Sequence, residues 1–289
     1  MENFQHSLSA HLSVQGSDNS DSQLIILILP AMGAPTRLYK RLYEGILQAD
    51  LGVAIMNLRG EGLLKKEQLV SDGNFGYAEL LKDIDDVITF ITHKYPNKSI
   101  VTIGHSLGGQ LGCLYSCHKN SDVLASAVIA GGNVGYHSWT GMARFKTFFV
   151  TQFFGIISMV IGWFPGEKIG FGGNQPKNIM IDWSRNARTG IYKLINQKID
   201  YEMVSKDVKS LFLGIVIAND FFAPYYSTKS LLDKFSSSDR EIFTINADSF
   251  KEVIPNHFSW LKEPEPAINT FVSWLREKGL DRIACRSMG

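Results

Sequence analysis

The sequence predicts an α/β protein with a doubly wound, mostly parallel sheet and an inserted helical cap. Three observations support this fold class: short apolar runs, helical patterns between those runs, and one long stretch that interrupts the alternation. Strands that alternate with helices are joined by right-handed crossovers, which place helices on both faces of a sheet.

Six runs are predicted as strands. Four are strongly apolar and precede the interruption, and continuous apolar runs are typical of strands buried on both faces. Two more follow the interruption. The predicted strands are residues 24–29, 53–58, 99–103, 124–129, 211–218 and 241–245.

Three helices are predicted from apolar periodicity and from their flanking residues. Residues 77–93 carry apolar side chains at helical spacing and stop before Pro96, as helices tend to do. Residues 110–118 follow a strand directly, and an amphipathic helix over residues 266–278 closes the chain.

The interruption covers residues 137–200 and is rich in aromatic residues and glycine. A connection of this length is far longer than usual, so we interpret it as a helical cap. Residues 1–136 and 201–289 then form the core. Within the cap, the run 148–164 is the one membrane candidate; it falls short of the roughly 20 residues that a spanning helix needs. An apolar lid or interfacial contact is therefore favoured, and no spanning segment is predicted.

Composition and charge exclude some partners. A chain of 289 residues with a formal net charge of +1 has no basic surplus with which to bind nucleic acid. No signal peptide is predicted, because the N-terminus lacks a basic region followed by an apolar one. The sequence leaves a homodimer open as an alternative to a monomer.

Cysteine is sparse: the chain has three, at positions 113, 117 and 285. Cys113 and Cys117 share a helix face without His or Cys partners at zinc spacing, so we expect buried small side chains rather than metal ligands. Sparse cysteine favours a reduced, cytoplasmic location.

The strongest motif is Gly104-His105-Ser106-Leu107-Gly108, which follows a β-branched strand and precedes a helical stretch. This order is that of a nucleophile elbow, in which a tight strand-to-helix turn exposes the serine hydroxyl above the sheet. A chance match is the alternative, since Gly and Ser are common. The strand-turn-helix context favours the elbow.

A serine needs a base, and in such sheets the chain order is nucleophile, acid, base. Three histidines follow Ser106: His118, His137 and His257. His257 lies in a turn-rich loop after the last predicted strand, so we expect it to be the base. A structural loop histidine is the alternative.

The acid should follow a late strand. Asp220 ends the apolar run 211–218 just before a Pro-containing turn, where a buried carboxylate would orient the imidazole. A turn or capping aspartate is the alternative interpretation. Asp248 is the rival acid, although it lies between the last strand and the histidine.

Two main-chain amides are expected to stabilise an oxyanion: those of Leu107 and Met32. Leu107 begins the helix after the serine, and Met32 follows the first apolar strand, where Gly33 lets the backbone turn. An ordinary strand-to-helix turn is the alternative for the second loop. His105 is expected to pack beneath the elbow, and Arg59 to form a structural ion pair.

With these residues in place, the chain resembles an α/β-hydrolase near the serine-aminopeptidase-like branch of that superfamily. Relatives commonly have His-Gly where this chain has Pro30-Ala31, and they commonly have an aspartate where this chain has Asn57. The resemblance implies Ser106 as nucleophile, His257 as base and Asp220 as acid, with an oxyanion hole from Leu107 and Met32. The motifs that carry it are residues 30–33, 59–62, 104–109, 219–220, 223–224 and 256–258, with 163–166, 170–172 and 182–183 in the cap.

The sequence therefore predicts a serine hydrolase that cleaves a carboxylic ester or thioester of a small-molecule acyl substrate. A serine peptidase is the first alternative; Glu167 or Asp182 would then hold the substrate ammonium. A binding protein that keeps the fold without catalysis is the second. Acyl transfer uses side chains and amides alone, so no metal and no cofactor is expected.

Overall fold

A computed structural model describes residues 2–9, 12–18, 21–59, 74–118 and 121–280. The strands of these residues are numbered in chain order. They are β1 (Glu2–Ser9), β2 (Leu12–Asp18), β3 (Leu24–Leu29), β4 (Gly52–Met56), β5 (Ser99–His105), β6 (Val123–Ile129), β7 (Trp163–Pro165), β8 (Asn174–Pro176), β9 (Leu211–Ile217) and β10 (Arg240–Ile245).

The α-helices of the described residues are numbered in the same way, and short 3₁₀ turns lie between some of them. They are α1 (Lys40–Gln48), α2 (Tyr77–Lys94), α3 (Leu107–Tyr115), α4 (Gly141–Ile161), α5 (Gly166–Ile169), α6 (Lys177–Thr189), α7 (Tyr201–Val204), α8 (Tyr225–Leu232) and α9 (Glu265–Glu277).

One sheet with the strand order β1-β2-β4-β3-β5-β6-β9-β10 organises the molecule. The six strands from β4 to β10 in this order pair in parallel, whereas β1 pairs with β2, and β2 with β4, in antiparallel fashion. This mostly parallel sheet confirms the predicted fold class. The antiparallel β1 and β2 are an addition that the sequence analysis did not predict.

Helices cover both faces of the sheet, and strand alternation divides the core between them. In β3, Leu27 and Leu29 pack on the side of α2, α3 and α8. Ile26 and Ile28 pack on the opposite side against α1 and α9. Every residue of β3 is buried, which is why this strand shows an uninterrupted apolar run.

The chain between β6 and β9 forms a separate layer of α4, the small hairpin β7–β8, and α6. The long helix α4 packs against α6. The division into a core and a cap at residues 137–200 remains a prediction.

The apolar run 148–164 differs in its extent from the helix that the structure shows. Residues 148–161 of the run belong to a helix of 21 residues that begins at Gly141, seven positions earlier, and residues 163 and 164 lie in β7. Among the described residues, α4 alone is long and apolar enough to cross a membrane by length and composition, with a mean hydropathy of 1.3. One marginal helix of this kind does not make a clear spanning segment. The basic residues Arg144 and Lys146 interrupt the apolar pattern in its first turns, so the sequence did not indicate where the helix begins.

Candidate active site

Four loops meet at the carboxyl edge of the parallel strands. They follow β3, β5, β9 and β10, and they carry Met32, Ser106, Asp220 and His257 respectively. The ends of parallel strands point to the same edge of a sheet, and ligands of open α/β sheets bind outside that edge. The topology thus brings together residues that are far apart in the sequence.

Ser106 lies at the sharp turn between β5 and α3. Its backbone has a φ of 54°, a left-handed conformation that is strained for a residue with a side chain. A hydrogen bond from Ser106 N to Ile129 O of 3.1 Å fixes the turn to β6. Gly104 is required before it, because a Cβ there would lie 2.2 Å from Gly109 N. This is the backbone that the elbow motif predicts.

His257 lies between the serine hydroxyl and a carboxylate. Its Nε2 is 3.0 Å from Ser106 Oγ, and its Nδ1 is 2.8 Å from Asp220 Oδ2. With a proton on Nδ1, the ring donates to the carboxylate and can accept the serine proton at Nε2. Such a chain of contacts can raise the nucleophilicity of a hydroxyl.

The carboxylate is held from two further directions. Asp220 Oδ1 accepts N–H bonds from Phe222 at 2.8 Å and from Ala223 at 3.2 Å. Its side chain is fully buried, so Oδ2 is directed to His257 without competition from solvent. The turn that the sequence indicated at Pro224 therefore supplies the donors that orient this group.

The other candidates for the base and the acid lie away from Ser106. His118 Nε2 contacts the hydroxyl of Tyr201 at 3.3 Å, and the ring of His137 stacks on Tyr136. Asp248 is exposed in a 3₁₀ turn after β10. The structure brings none of these three to Ser106.

The two predicted amides line the same cavity as the serine. Neither Met32 N nor Leu107 N donates a hydrogen bond to another described residue. The neighbouring Ala31 N is already engaged, because it donates to the Tyr39 hydroxyl at 2.7 Å. Gly33 has a φ of 66°, and a Cβ there would lie 2.1 Å from Gly172 O, so only glycine fits.

Tyr39 is a residue of this site that sequence reasoning missed. Its hydroxyl lies 2.9 Å from His105 Nδ1 and accepts the Ala31 N–H, so it joins the residue before the serine to the loop that carries Met32. Burial, and then the neighbouring His257, hold the pKa of His105 well below its usual value. The neutral ring can therefore accept the Tyr39 proton. No local pattern marks Tyr39, because the contact joins residues 66 positions apart.

A cavity of about 220 Å³ opens beside the serine. Apolar side chains dominate its wall, Gln110 adds an amide, and no Asp, Glu, Lys or Arg among the described residues lines it. Its larger side chains are Met32, Val134, Phe171, Trp183, Phe222 and Phe258. The cavity suits an uncharged, apolar group.

The carboxylates suggested for binding an ammonium do not reach this cavity, which corrects that expectation. Asp182 is buried, and its oxygens accept N–H bonds from Tyr77 at 3.1 Å and Ile195 at 2.9 Å. Burial raises the pKa of Asp182 to about 6, even though these two donors act to lower it. Glu167 accepts a hydrogen bond from Asn174 at the protein surface.

Two further predictions concern structural side chains. Arg59 forms a two-point ion pair with Asp83, with distances of 2.9 and 2.5 Å. Cys113 and Cys117 are buried free thiols, as predicted, and burial raises the pKa of Cys117 to about 12. Residues 60–62 of the Arg59 motif and Cys285 lie outside the described residues.

Comparison with known proteins identifies the family and the fold of this chain. The profile of the hydrolase family described as serine aminopeptidase S33 matches residues 20–210. A protein phosphatase methylesterase 1 from Candida albicans is 27% identical over 97 residues, which are 34% of this chain. The matched segment spans only 26% of that relative.

Solved structures share the fold at low identity. One, described with the metagenome-derived lipolytic enzymes LipS and LipT, has a TM-score of 0.62 at 14% identity and covers 91% of this chain and 97% of its own. A bacterial membrane phospholipase A has a TM-score of 0.61 at 14% identity, with coverages of 95% and 86%. Since the family profile spans well over half of the sequence, this chain is an α/β-hydrolase that belongs to the serine aminopeptidase S33 family.

Proposed function

We propose that this protein hydrolyses a carboxylic ester or thioester through an acyl-enzyme intermediate. The observation that carries the proposal is the alignment of Ser106 Oγ, the His257 ring and Asp220 within hydrogen-bond distance, beside an apolar cavity. The methylesterase relative and the lipolytic neighbour act on esters by their names, which supports the same class of bond.

In the proposed mechanism, Ser106 Oγ attacks the carbonyl carbon while His257 Nε2 takes the hydroxyl proton. Asp220 holds the ring in the required tautomer and stabilises the imidazolium. The amides of Met32 and Leu107 donate to the oxyanion. The tetrahedral intermediate collapses as His257 protonates the departing alcohol or thiol, and water then releases the acid by the same steps.

The cavity supports an apolar acyl group. Its volume lies below the roughly 300–1,000 Å³ of sites for drug-sized ligands, so we expect a short or medium acyl chain to fit best. Burial of that chain excludes water from the carbonyl and strengthens the hydrogen bonds around it.

The family's description favours a second candidate, an aminopeptidase. Such an enzyme needs a carboxylate near the serine to pair with the substrate ammonium, and none of the described residues that line the cavity supplies one. We therefore rank this activity below ester hydrolysis. Turnover of aminoacyl-nitroanilides that exceeds turnover of nitrophenyl esters would reverse the ranking.

The test is hydrolysis of p-nitrophenyl esters of increasing chain length by the wild-type protein and by Ser106→Ala. We expect the substitution to lower kcat by about 10⁴–10⁶-fold, as in other serine hydrolases. Ser230→Ala is the matched control, because this serine lies on α8 outside the cavity and should leave kcat unchanged.

Labelling with a fluorophosphonate separates catalysis from simple binding. An activated serine reacts with this probe, so wild type should be labelled and Ser106→Ala should not. Absence of labelling in folded wild-type protein would contradict the proposal and favour the non-catalytic binding protein.

A further inference from the structure

The long helix α4 has its apolar side outward. Large apolar side chains recur every three or four positions and therefore form one stripe, the outer face of α4. Phe149 is 66% exposed and Phe153 is 60% exposed. The opposite side buries the small residues Thr151, Gly155 and Ser158. The outer face consists of Met142, Phe145, Phe149, Phe153, Ile156 and Val160.

A helix on a water-facing surface normally shows the reverse pattern, with polar residues outward. At 1.5 Å per residue, the outer face extends for about 27 Å from Met142 to Val160. Contiguous apolar surfaces of this kind mark sites of association rather than ordinary exposure.

The inner side holds α4 against the rest of the molecule along its length. Gln152 Nε2 donates to Ser184 O of α6 at 2.9 Å, and the ring of Phe154 lies 4.8 Å from that of Phe164 and 6.4 Å from that of Trp183. To cross a bilayer, the helix would have to give up these contacts. It is instead placed to lie in the plane of a membrane surface, with its outer face toward the acyl chains.

The charges around the stripe fit an anionic lipid surface. Helix α4 contains no Asp or Glu, and Arg144 and Lys146 lie in its first turns. Lys146 is exposed beside the stripe, with its Nζ 6.0 Å from the ring centre of Phe221. Basic and aromatic side chains of this kind favour the headgroup layer of a membrane that contains anionic lipids.

The apolar surface continues from α4 to the candidate active site. Phe221 and Phe222 are half exposed and lie with ring centres 6.1 Å apart. Phe222 also lines the cavity, with its ring centre 5.2 Å from that of His257. Phe221 and Phe222 therefore connect the first turns of α4 to the cavity beside Ser106.

We infer that the outer face of α4 docks on a lipid bilayer that contains anionic headgroups, so that the cavity opens toward the membrane surface. Docking requires no catalysis and goes beyond the proposed function. A second copy of this chain is the competing occupant of the same apolar face, and the test distinguishes the two.

The test is co-sedimentation of the wild-type protein with phosphatidylcholine vesicles and with vesicles that also contain phosphatidylserine. We expect stronger binding to the anionic vesicles, weakened by salt. The double variant Phe149→Ser, Phe153→Ser should lower the partition coefficient at least tenfold. Arg144→Gln with Lys146→Gln should remove the preference for the anionic vesicles.

The matched control is Ile191→Ser with Met203→Ser, which removes apolar side chains that are 47% and 62% exposed outside α4. This control should bind vesicles as wild type does. Equal loss in the control and the α4 variant, or no vesicle binding by wild type, would overturn the inference. So would a wild-type dimer that the α4 variant makes monomeric without any vesicle binding.

Hydrolysis of a water-soluble short-chain ester separates this inference from the proposed function. The variant Phe149→Ser, Phe153→Ser should keep that activity, because neither residue lines the cavity. An inactive wild type that still binds vesicles would contradict the proposed function alone.

Discussion

Strand β3 and helix α4 are both strongly apolar, yet they lie in opposite environments. All six residues of β3 are buried between helices. Of the 21 residues of α4, only three are buried, and these are small or polar ones. Apolar composition therefore predicts an element without predicting where its apolar surface is directed. In the sheet the apolar surface is buried and stabilises the fold. On α4 it is exposed, where it can contact a lipid bilayer.

The carboxyl edge of the sheet also differs from the outer face of α4, in how its side chains are held. At this edge the side chains of Ser106, His257 and Asp220 have defined hydrogen-bond partners, and Asp220 Oδ1 accepts from two backbone amides. Substitutions at the edge should therefore change activity, those in the strands should change stability, and those on the outer face of α4 should change neither in solution.

Among the substitutions that test this comparison, the largest effect is expected for Asp220→Asn at the edge. The substitution leaves His257 in the wrong tautomer and should lower kcat by about 10⁴-fold, with a much smaller effect on folding. Steady-state hydrolysis of p-nitrophenyl esters measures it. Asp248→Asn, in an exposed turn, is the matched control and should retain full activity. Comparable loss in both variants would remove the distinction between the edge and the surface.

Next in size is the contrast between a strand and the helix. Leu27→Ala removes a fully buried side chain from β3 and should lower the free energy of unfolding by about 2–5 kcal/mol. Phe153→Ala on the outer face should change it by no more than roughly 0.5 kcal/mol. Urea denaturation compares the two. A large loss for Phe153→Ala would mean that the outer face is covered within the protein.

A smaller effect is expected for Tyr39→Phe. Loss of the hydroxyl leaves Ala31 N–H and His105 Nδ1 unpaired in a buried place, which should cost about 1–3 kcal/mol of stability. If this hydroxyl also positions the Met32 loop, kcat should fall about tenfold while KM changes little. Tyr226→Phe, with an exposed ring, is the control. Lower stability with unchanged kcat would limit Tyr39 to a structural role.

The last prediction concerns the dependence of stability on pH. Because burial raises the pKa of Asp182 to about 6, the folded state binds a proton more tightly than the unfolded state does. The contribution of this group to stability is therefore present below the unfolded pKa of about 3.9 and is lost as pH rises through about 6. Asp182→Asn should flatten the curve of unfolding free energy over this range, by up to about 1.4 kcal/mol per pH unit. Asp207→Asn, at an exposed position, serves as the control.

Predictions from the sequence succeeded where a local pattern has one structural solution. The strand over residues 24–29 was predicted with its observed bounds, because buried parallel strands tolerate few polar residues. The glycines around Ser106 predicted the strained turn, since few other residues allow so close an approach of strand and helix. Chain order then pointed to Asp220 and His257; the structure places the His257 ring between Asp220 and the serine, and their catalytic roles stay predictions.

Other features depend on distant contacts and left no local signal. Strands β1 and β2 are rich in polar residues and are fixed by antiparallel pairing at the sheet edge, so periodicity did not reveal them. The role of Tyr39 depends on two partners outside its own helix. Asp182 was suggested as a partner for a substrate ammonium, but it is buried and accepts hydrogen bonds from two backbone N–H groups.

The hydrogen bond from Tyr77 N to Asp182 also has a consequence for the route by which a substrate reaches the serine. Asp182 lies on α6, and Tyr77 begins α2 beside the sheet, so the hydrogen bond from Tyr77 N to Asp182 Oδ2 joins α6 to the layer that contains the sheet. Movement of α6 away from α2 would break this bond and leave the buried Tyr77 N–H without a partner, while Ile195 N and Arg185 would stay beside the carboxylate. We therefore expect passage to the serine to depend on rotation of the half-exposed Phe222 and Phe258, which is fast compared with movement of a whole domain.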